Sequence, residues 1–178
     1  ATFLDWDASM SMSGDNFPDG CSAGFGDNCF ESVKYTKNST EIKVFNVTDP
    51  ITNGRGYNVF FGDDLVSFSG GTITSTGTVN GSANIVASYN TGWQTIGNPY
   101  VSPMLYSSTT RLSPISNWFY VYDATIGDYQ WYDGTTGTSS IPELANGMMA
   151  IGQGVWIYVN SLATITYHQS DKTSINAT

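Results

Sequence analysis

Gly92 to Pro103 reads GWQTIGNPYVSP. A glycine turn opens it, alternation through Trp93, Thr95 and Ile96 marks a strand, and Gly97-Asn98-Pro99-Tyr100 ends that strand. Pro99 has no backbone N–H to give a ladder and pushes Asn98 out of the helical region, while Gly97 tolerates positive φ. The chain must stop pairing here and turn a corner. Two stretches that resemble each other lie on either side, so the corner reads as the crossing point between two halves of one β domain.

Outward from the corner the pattern is strands and turns. Upstream, the segments ESVKYT and EIKVFNV, joined by Lys37-Asn38-Ser39-Thr40, form a hairpin from Glu31 to Asn46 in which Ile42 and Val44 share a face. Asn53-Gly54-Arg55-Gly56 leads into a strand at Tyr57–Phe61, which Gly62-Asp63-Asp64 turns back into Leu65–Ser69. Short strands follow at Thr72–Thr74 and Asn84–Tyr89. Downstream, Val101–Pro114 is a polar connection anchored by Met104, Leu105 and Leu112, with room for one short helical turn. Asn117–Asp123 (NWFYVYD) is apolar on both faces, the mark of a central strand, and Gly127-Asp128 turns it into Tyr129–Tyr132. Val155–Val159 is expected to pair with Ala163–His168 through Asn160-Ser161.

Laid on one another, Gly54-Arg55-Gly56-Tyr57 falls on Gly152-Gln153-Gly154-Val155, and the hairpin 31–46 falls on the hairpin 118–132. Each copy of such a four-strand unit has an apolar face that it cannot bury alone. The expected fold is therefore all-β, a jelly-roll-like β-sandwich of two similar antiparallel four-strand units. It occupies residues 1–170 as a single domain, and 171–178 form a polar tail or linker.

Composition agrees. Of 178 residues only 12% are charged, 14% are aromatic and 19 are Gly, which suits many short strands joined by turns. Six basic against fifteen acidic residues give a net charge of −9, so phosphate backbones and anionic lipid are repelled. Nucleic acid is not an expected partner. Membrane insertion is not expected either, since no apolar run approaches the roughly 20 residues of a spanning helix. The chain does not begin with Met, which fits a mature or excised segment.

Residues 1–12 alternate loosely around Phe3, Trp6 and Met10 and read as a first strand. The next stretch, 13–28, has four Gly, three Asp and one Pro in sixteen positions and reads as a long loop. Its Asp15, Asp19 and Asp27, with Asn16 and Asn28, are candidate oxygen ligands for calcium. The competing reading is that Asp and Asn serve the turns themselves. Cys21 and Cys29 suit a local disulfide of an exported protein, or two buried thiols; with His168 the lone histidine they make a poor zinc site.

The block GWQTIGNPYVSPM, preceded by GRGY and followed by a YVYD strand and a GQG-plus-aromatic strand, resembles a recurring β-sandwich domain of Bacteroidetes surface and secreted proteins. That family reads approximately GWNLxGNPYPS at the corner, and the resemblance covers about residues 30–170. Gln94-Thr95 replace Asn-Leu, Val101 replaces Pro, and Val155-Trp156 replace a double Phe. The resemblance implies export by the type IX route in a larger protein, beside adhesin or carbohydrate-active modules.

No catalytic arrangement stands out. There is no G-x-S-x-G elbow, Asp63 and Asp64 diverge in a turn, and Glu31 and Glu143 lack an evident partner. Binding is the better expectation, because five Trp and eleven Tyr exceed what a core of this size needs. Sugars stack their C–H faces on such rings. Trp131 and Tyr129 at a hairpin end, Asp128 and Asp133 beside them, and Tyr106 in the long connection are the candidate contacts. Trp93, Trp118 and Trp156 are assigned to the core or to cross-strand pairs. The expectation is a noncatalytic module at the cell surface that binds a glycan or another surface protein. The rival is a structural spacer or filament unit that works through self-association or neighbouring domains.

Overall fold

A computed structural model describes residues 33–44, 48–59 and 84–174. The expected strands at 1–12, 65–69 and 72–74, the loop 13–28 with Asp15, Asp19 and Asp27, and the Cys21–Cys29 pair lie outside the described residues. The described chain is all-β: antiparallel strands with three short 3-10 segments. It falls into two compact units, the first holding 33–35, 41–44, 48–52 and 57–59, the second 36–40, 53–56 and 84–174.

The expected first hairpin forms. Strands β1 (Val33–Lys37) and β2 (Thr40–Lys43) are joined by Asn38 and Ser39, whose φ angles of 53° and 59° suit the primed turns that match strand twist. β3 (Asn58–Val59) pairs with β1 on its other side, in the order β2-β1-β3. Val33 and Val44 are the buried centre of the first unit, packed by Tyr35, Ile51, Tyr57 and Val59.

The second unit carries β4 (Ile85–Tyr89), β5 (Gly92–Gly97), β6 (Met104–Leu105), β7 (Thr110–Arg111), β8 (Trp118–Asp123), β9 (Asp128–Asp133), β10 (Thr138–Ser139), β11 (Met148–Met149), β12 (Gly154–Val159) and β13 (Ala163–Tyr167). They form a five-stranded sheet β10-β9-β8-β12-β5, a three-stranded sheet β4-β13-β7 and a small pair β11-β6. Ile96, Phe119, Tyr132, Val155, Ile157 and Val159 of the larger sheet share one core with Tyr89, Ala163, Ile165 and Tyr167 of the smaller. Along β12 and β13 the buried residues recur at every second position, as a half-buried strand requires.

The pairing of Val155–Val159 with Ala163–His168 does not occur. β12 pairs with β5 and β8, whereas β13 pairs with β4 and β7. The same happens across Asn90-Thr91, where β4 and β5 belong to different sheets. Two arches thus interlock, with β5 on β12 from Gly97↔Gly154 to Gly92↔Val159, and β4 on β13 from Tyr89↔Ala163 to Ile85↔Tyr167. The link after β12 is held away from hairpin geometry because the Asn160 N–H donates to the Pro114 carbonyl at 2.8 Å. Ser116 N–H similarly donates to the Tyr158 carbonyl at 2.9 Å. The strands expected to make up a second four-strand unit, β8, β9, β12 and β13, are therefore spread over both sheets.

At the corner, β5 stops at Gly97 as expected. The Asn98 amide Nδ2 donates to the carbonyls of Ser102 at 2.9 Å and Ala150 at 3.0 Å, while its Oδ1 accepts the Tyr100 N–H at 2.9 Å. One side chain thus satisfies backbone groups that the broken ladder leaves over. In the following connection Met104 is buried as expected, Leu112 is 52% exposed and is no anchor, and Tyr106, with Ile115 just beyond, is buried in its place. Residues 171–173, expected in the tail, belong to the second unit. Asp171 is buried and its Oδ2 accepts the His168 N–H at 2.7 Å, and Thr173 N–H donates to the Pro103 carbonyl at 2.9 Å.

The two Gly-x-Gly segments meet the same strand. Gly154 stands in register with Gly97 on one edge of β5, and Arg55 bridges Ile96 on the other. Gly56 N–H donates to the Thr95 carbonyl at 3.3 Å and Gly97 N–H to the Gly54 carbonyl at 3.0 Å.

Candidate functional site

The outward face of the five-stranded sheet is paved with rings. Alternation places Trp118, Tyr120 and Tyr122 of β8 on the face opposite Phe119, and register then brings in Tyr129 and Trp131 of β9, Trp156 and Tyr158 of β12, and Trp93 of β5. Tyr120 is the node, with Trp131 as its cross-strand partner on one side and Trp156 on the other. The rings engage edge to face: Trp93 with Tyr120 at 5.6 Å and with Tyr158 at 5.3 Å, Tyr129 with Trp156 at 5.3 Å and with Tyr122 at 5.4 Å. Such pairs each add about 0.5–1.5 kcal/mol beyond area burial, so the rings hold one another in place.

Between these rings lies a cleft of about 540 Å³ lined by Trp93, Tyr120, Tyr129, Trp156, Thr36 and Ser39. Its size is that of a small-ligand site. The hairpin tip supplies the two hydroxyl side chains and is itself fixed on β5. Thr36 N–H donates to Thr95 Oγ1 at 2.9 Å, Ser39 N–H to the Trp93 carbonyl at 3.0 Å, and Trp93 N–H to Ser39 Oγ at 2.9 Å. Trp156 Nε1 reaches Thr36 Oγ1 at 3.4 Å. The described lining is aromatic and hydroxylic and carries no formal charge. Trp93 and Tyr129 remain 39% and 48% exposed. These rings leave part of their apolar surface open to solvent on the outer face of the sheet.

Of the residues singled out in the sequence, Tyr129 lines the cleft and Trp131 stands beside it, half-buried against Trp118 at 5.2 Å. Asp128 is exposed at the start of β9, where its Oδ1 accepts the Tyr129 N–H at 2.7 Å. Asp133 is a different matter. It is buried and its carboxylate accepts the Thr135 N–H at 2.7 Å and the Thr136 hydroxyl at 2.8 Å. Lost hydration pushes its pKa up, but these hydrogen bonds outweigh that and hold it below the ordinary carboxylate value. It fixes its own turn and offers a ligand little. Tyr106 does not join the site at all: it is fully buried, its hydroxyl donates to the Ser116 carbonyl at 2.8 Å, and the Arg111 guanidinium lies 4.1 Å over its ring.

No protein-family model, no curated protein and no solved structure matches this chain. Trp93 and Trp156, assigned from sequence to the core or to cross-strand pairs, do pair across strands, but on the outer face. The signal was present in Val155-Trp156-Ile157-Tyr158-Val159, where branched aliphatics own one face and rings the other.

Proposed function

We propose that this chain is a noncatalytic, extracellular β module that binds carbohydrate and serves adhesion at a bacterial cell surface. The observation that carries the reading is the ring-lined cleft on the outer face of the five-stranded sheet. Rings present C–H-binding faces and Thr36 and Ser39 present hydroxyls, which is the chemistry a sugar ring needs. The described lining offers no carboxylate pair, so binding rather than hydrolysis is the function that fits.

In this reading the whole chain is a jelly-roll-like β-sandwich of two similar four-strand units, kin to the Bacteroidetes surface domain that its corner motif resembles. Support comes from the equivalent places of Gly54-Arg55-Gly56 and Gly152-Gln153-Gly154 on the two edges of β5, with Gly54 and Gly152 at φ of 75° and 72°. Export, a Cys21–Cys29 disulfide and calcium held by Asp15, Asp19 and Asp27 belong to the same reading.

The test is binding to a glycan array, followed by titration of the best ligand. Trp156→Ala and Tyr129→Ala are each expected to weaken binding by about 2 kcal/mol, roughly thirtyfold in Kd, in a chain still folded but about 1–3 kcal/mol less stable for the lost ring contacts. Unaltered affinity in both variants would remove the cleft from consideration. A second reading, a spacer or filament unit, is favoured by β4, which among the described residues is an edge strand of its sheet, with Val86 63% exposed. Concentration-dependent self-association abolished by Val86→Lys, without any glycan affinity, would establish it.

A further inference from the structure

The four rings of the outer cleft are not laid flat. Trp93 stands on β5, yet its ring meets Tyr120 of β8 at 71° across the intervening β12, and Tyr129 of β9 meets Trp156 of β12 at 88° across β8. Each contact spans two strand spacings, about 9.5 Å, so Trp93 and Tyr129 lean inward over the strand between. Tyr120 and Trp156, cross-strand partners and half-buried, form a floor. Trp93 and Tyr129, 39% and 48% exposed, rise from it as walls. Each wall is held by a further ring from outside the cleft lining, Trp93 by Tyr158 at 5.3 Å and Tyr129 by Tyr122 at 5.4 Å.

A ring takes a sugar on its face. A flat layer of packed sugar chains can lie face-on to only one member of a pair set at 71° or 88°, so the walls hold such a layer off the floor. A single chain passes between the walls and meets rings beneath and beside it. Trp118 and Tyr120, 21° apart, come nearest to a flat platform, but Trp118 is not among the rings of the cleft. The polar groups favour a neutral ligand. Thr36 Oγ1 accepts from Trp156 Nε1 and Ser39 Oγ accepts the Trp93 N–H, which leaves each hydroxyl hydrogen for a sugar oxygen. The described lining carries no formal charge, and exposed Asp128 beside Tyr129 adds to a net charge of −9 that repels anionic sugars. Resting on the carbohydrate reading above, we infer that the ligand is a single neutral glycan chain gripped from two sides, and not the face of a crystalline polysaccharide.

The test sets depletion of the full chain by microcrystalline cellulose and by crystalline chitin beside calorimetric titration with soluble oligosaccharides of the same two polymers and with the glycans that bind best on the array. A soluble neutral chain is expected to bind, and neither crystalline powder to retain the protein within about tenfold of that affinity. Trp93→Ala and Tyr129→Ala each remove a wall and leave the floor; with the β circular dichroism retained, each is expected to weaken the soluble chain by about tenfold or more, while Tyr129→Phe, which keeps the ring, stays within about twofold of the parent. Retention on either powder as tight as the best soluble chain overturns the inference, as does an array on which only charged glycans bind; the carbohydrate reading then stands. Unchanged affinity in both wall variants also overturns it, and the carbohydrate reading stands if Trp156→Ala still weakens binding. Absence of binding to any glycan, soluble or crystalline, overturns both.

Discussion

At Gly56 a methyl group has nowhere to go. A Cβ there would lie 2.4 Å from the Ile96 carbonyl oxygen, and one on Gly97 would lie 2.6 Å from the Arg55 carbonyl oxygen. Both obstacles are backbone, which cannot rotate aside, so the two segments would have to separate and lose the Gly56–Thr95 and Gly97–Gly54 hydrogen bonds. Gly56→Ala is therefore expected to cost about 3 kcal/mol or more, read as a large fall in melting temperature. Gly137→Ala is the control: no atom lies within 4 Å of its Cβ, and only its φ of 75° opposes the change, at about 1 kcal/mol. The short motifs around the corner thus owe their glycines to contact between segments distant in sequence.

Among the elements, β12 shows most directly how one strand serves two purposes. Val155, Ile157 and Val159 are buried in the shared core, while Trp156 and Tyr158 look outward. Ile157→Ala is expected to destabilise by about 2–5 kcal/mol through lost burial and the cavity it leaves. Tyr158→Ala removes a ring that is already partly solvated and is expected to cost about 1 kcal/mol, mainly the edge-to-face contact with Trp93. Chemical denaturation of the two variants checks the difference, and a Tyr158→Ala cost equal to that of Ile157→Ala would contradict the assignment of faces. Stability and binding are thus separable along a single strand, residue by residue.

At the scale of the molecule, the interior of the second unit is sensitive to alkali. Burial pushes the Tyr89 hydroxyl up despite the neighbouring Tyr167 hydroxyl and the charge of Arg55. It pushes Tyr106 up despite Arg111, and Tyr167 up with the neighbouring Tyr89 adding to the effect. Unfolded tyrosines ionise near pH 10, so above that pH the unfolded chain sheds protons that the folded one keeps. The stability tied to these three groups is complete below about pH 10 and is lost as pH rises above it. Tyrosinate absorbance is expected to appear in two stages, exposed rings first and the buried ones only together with loss of β circular dichroism. Ionisation of all eleven tyrosines with the fold intact would contradict this burial.

The strands, their faces and the corner were legible in the sequence because each is a local matter. Alternation at every second residue marks a half-buried strand wherever it sits, so NWFYVYD already showed Trp118, Tyr120 and Tyr122 opposite Phe119. Pro99 and Gly97 end a ladder whatever the partner. Which strand lies beside which was not local: the three residues between Val159 and Ala163 suit a hairpin or an arch, and burying both apolar faces in one core decided for the arch. The cleft was hidden for the same reason. It takes Thr36 and Ser39 from a hairpin tip, Trp93 from β5, Tyr120 and Tyr129 from the central hairpin and Trp156 from β12, and only strand order in the finished sheet brings these four stretches together.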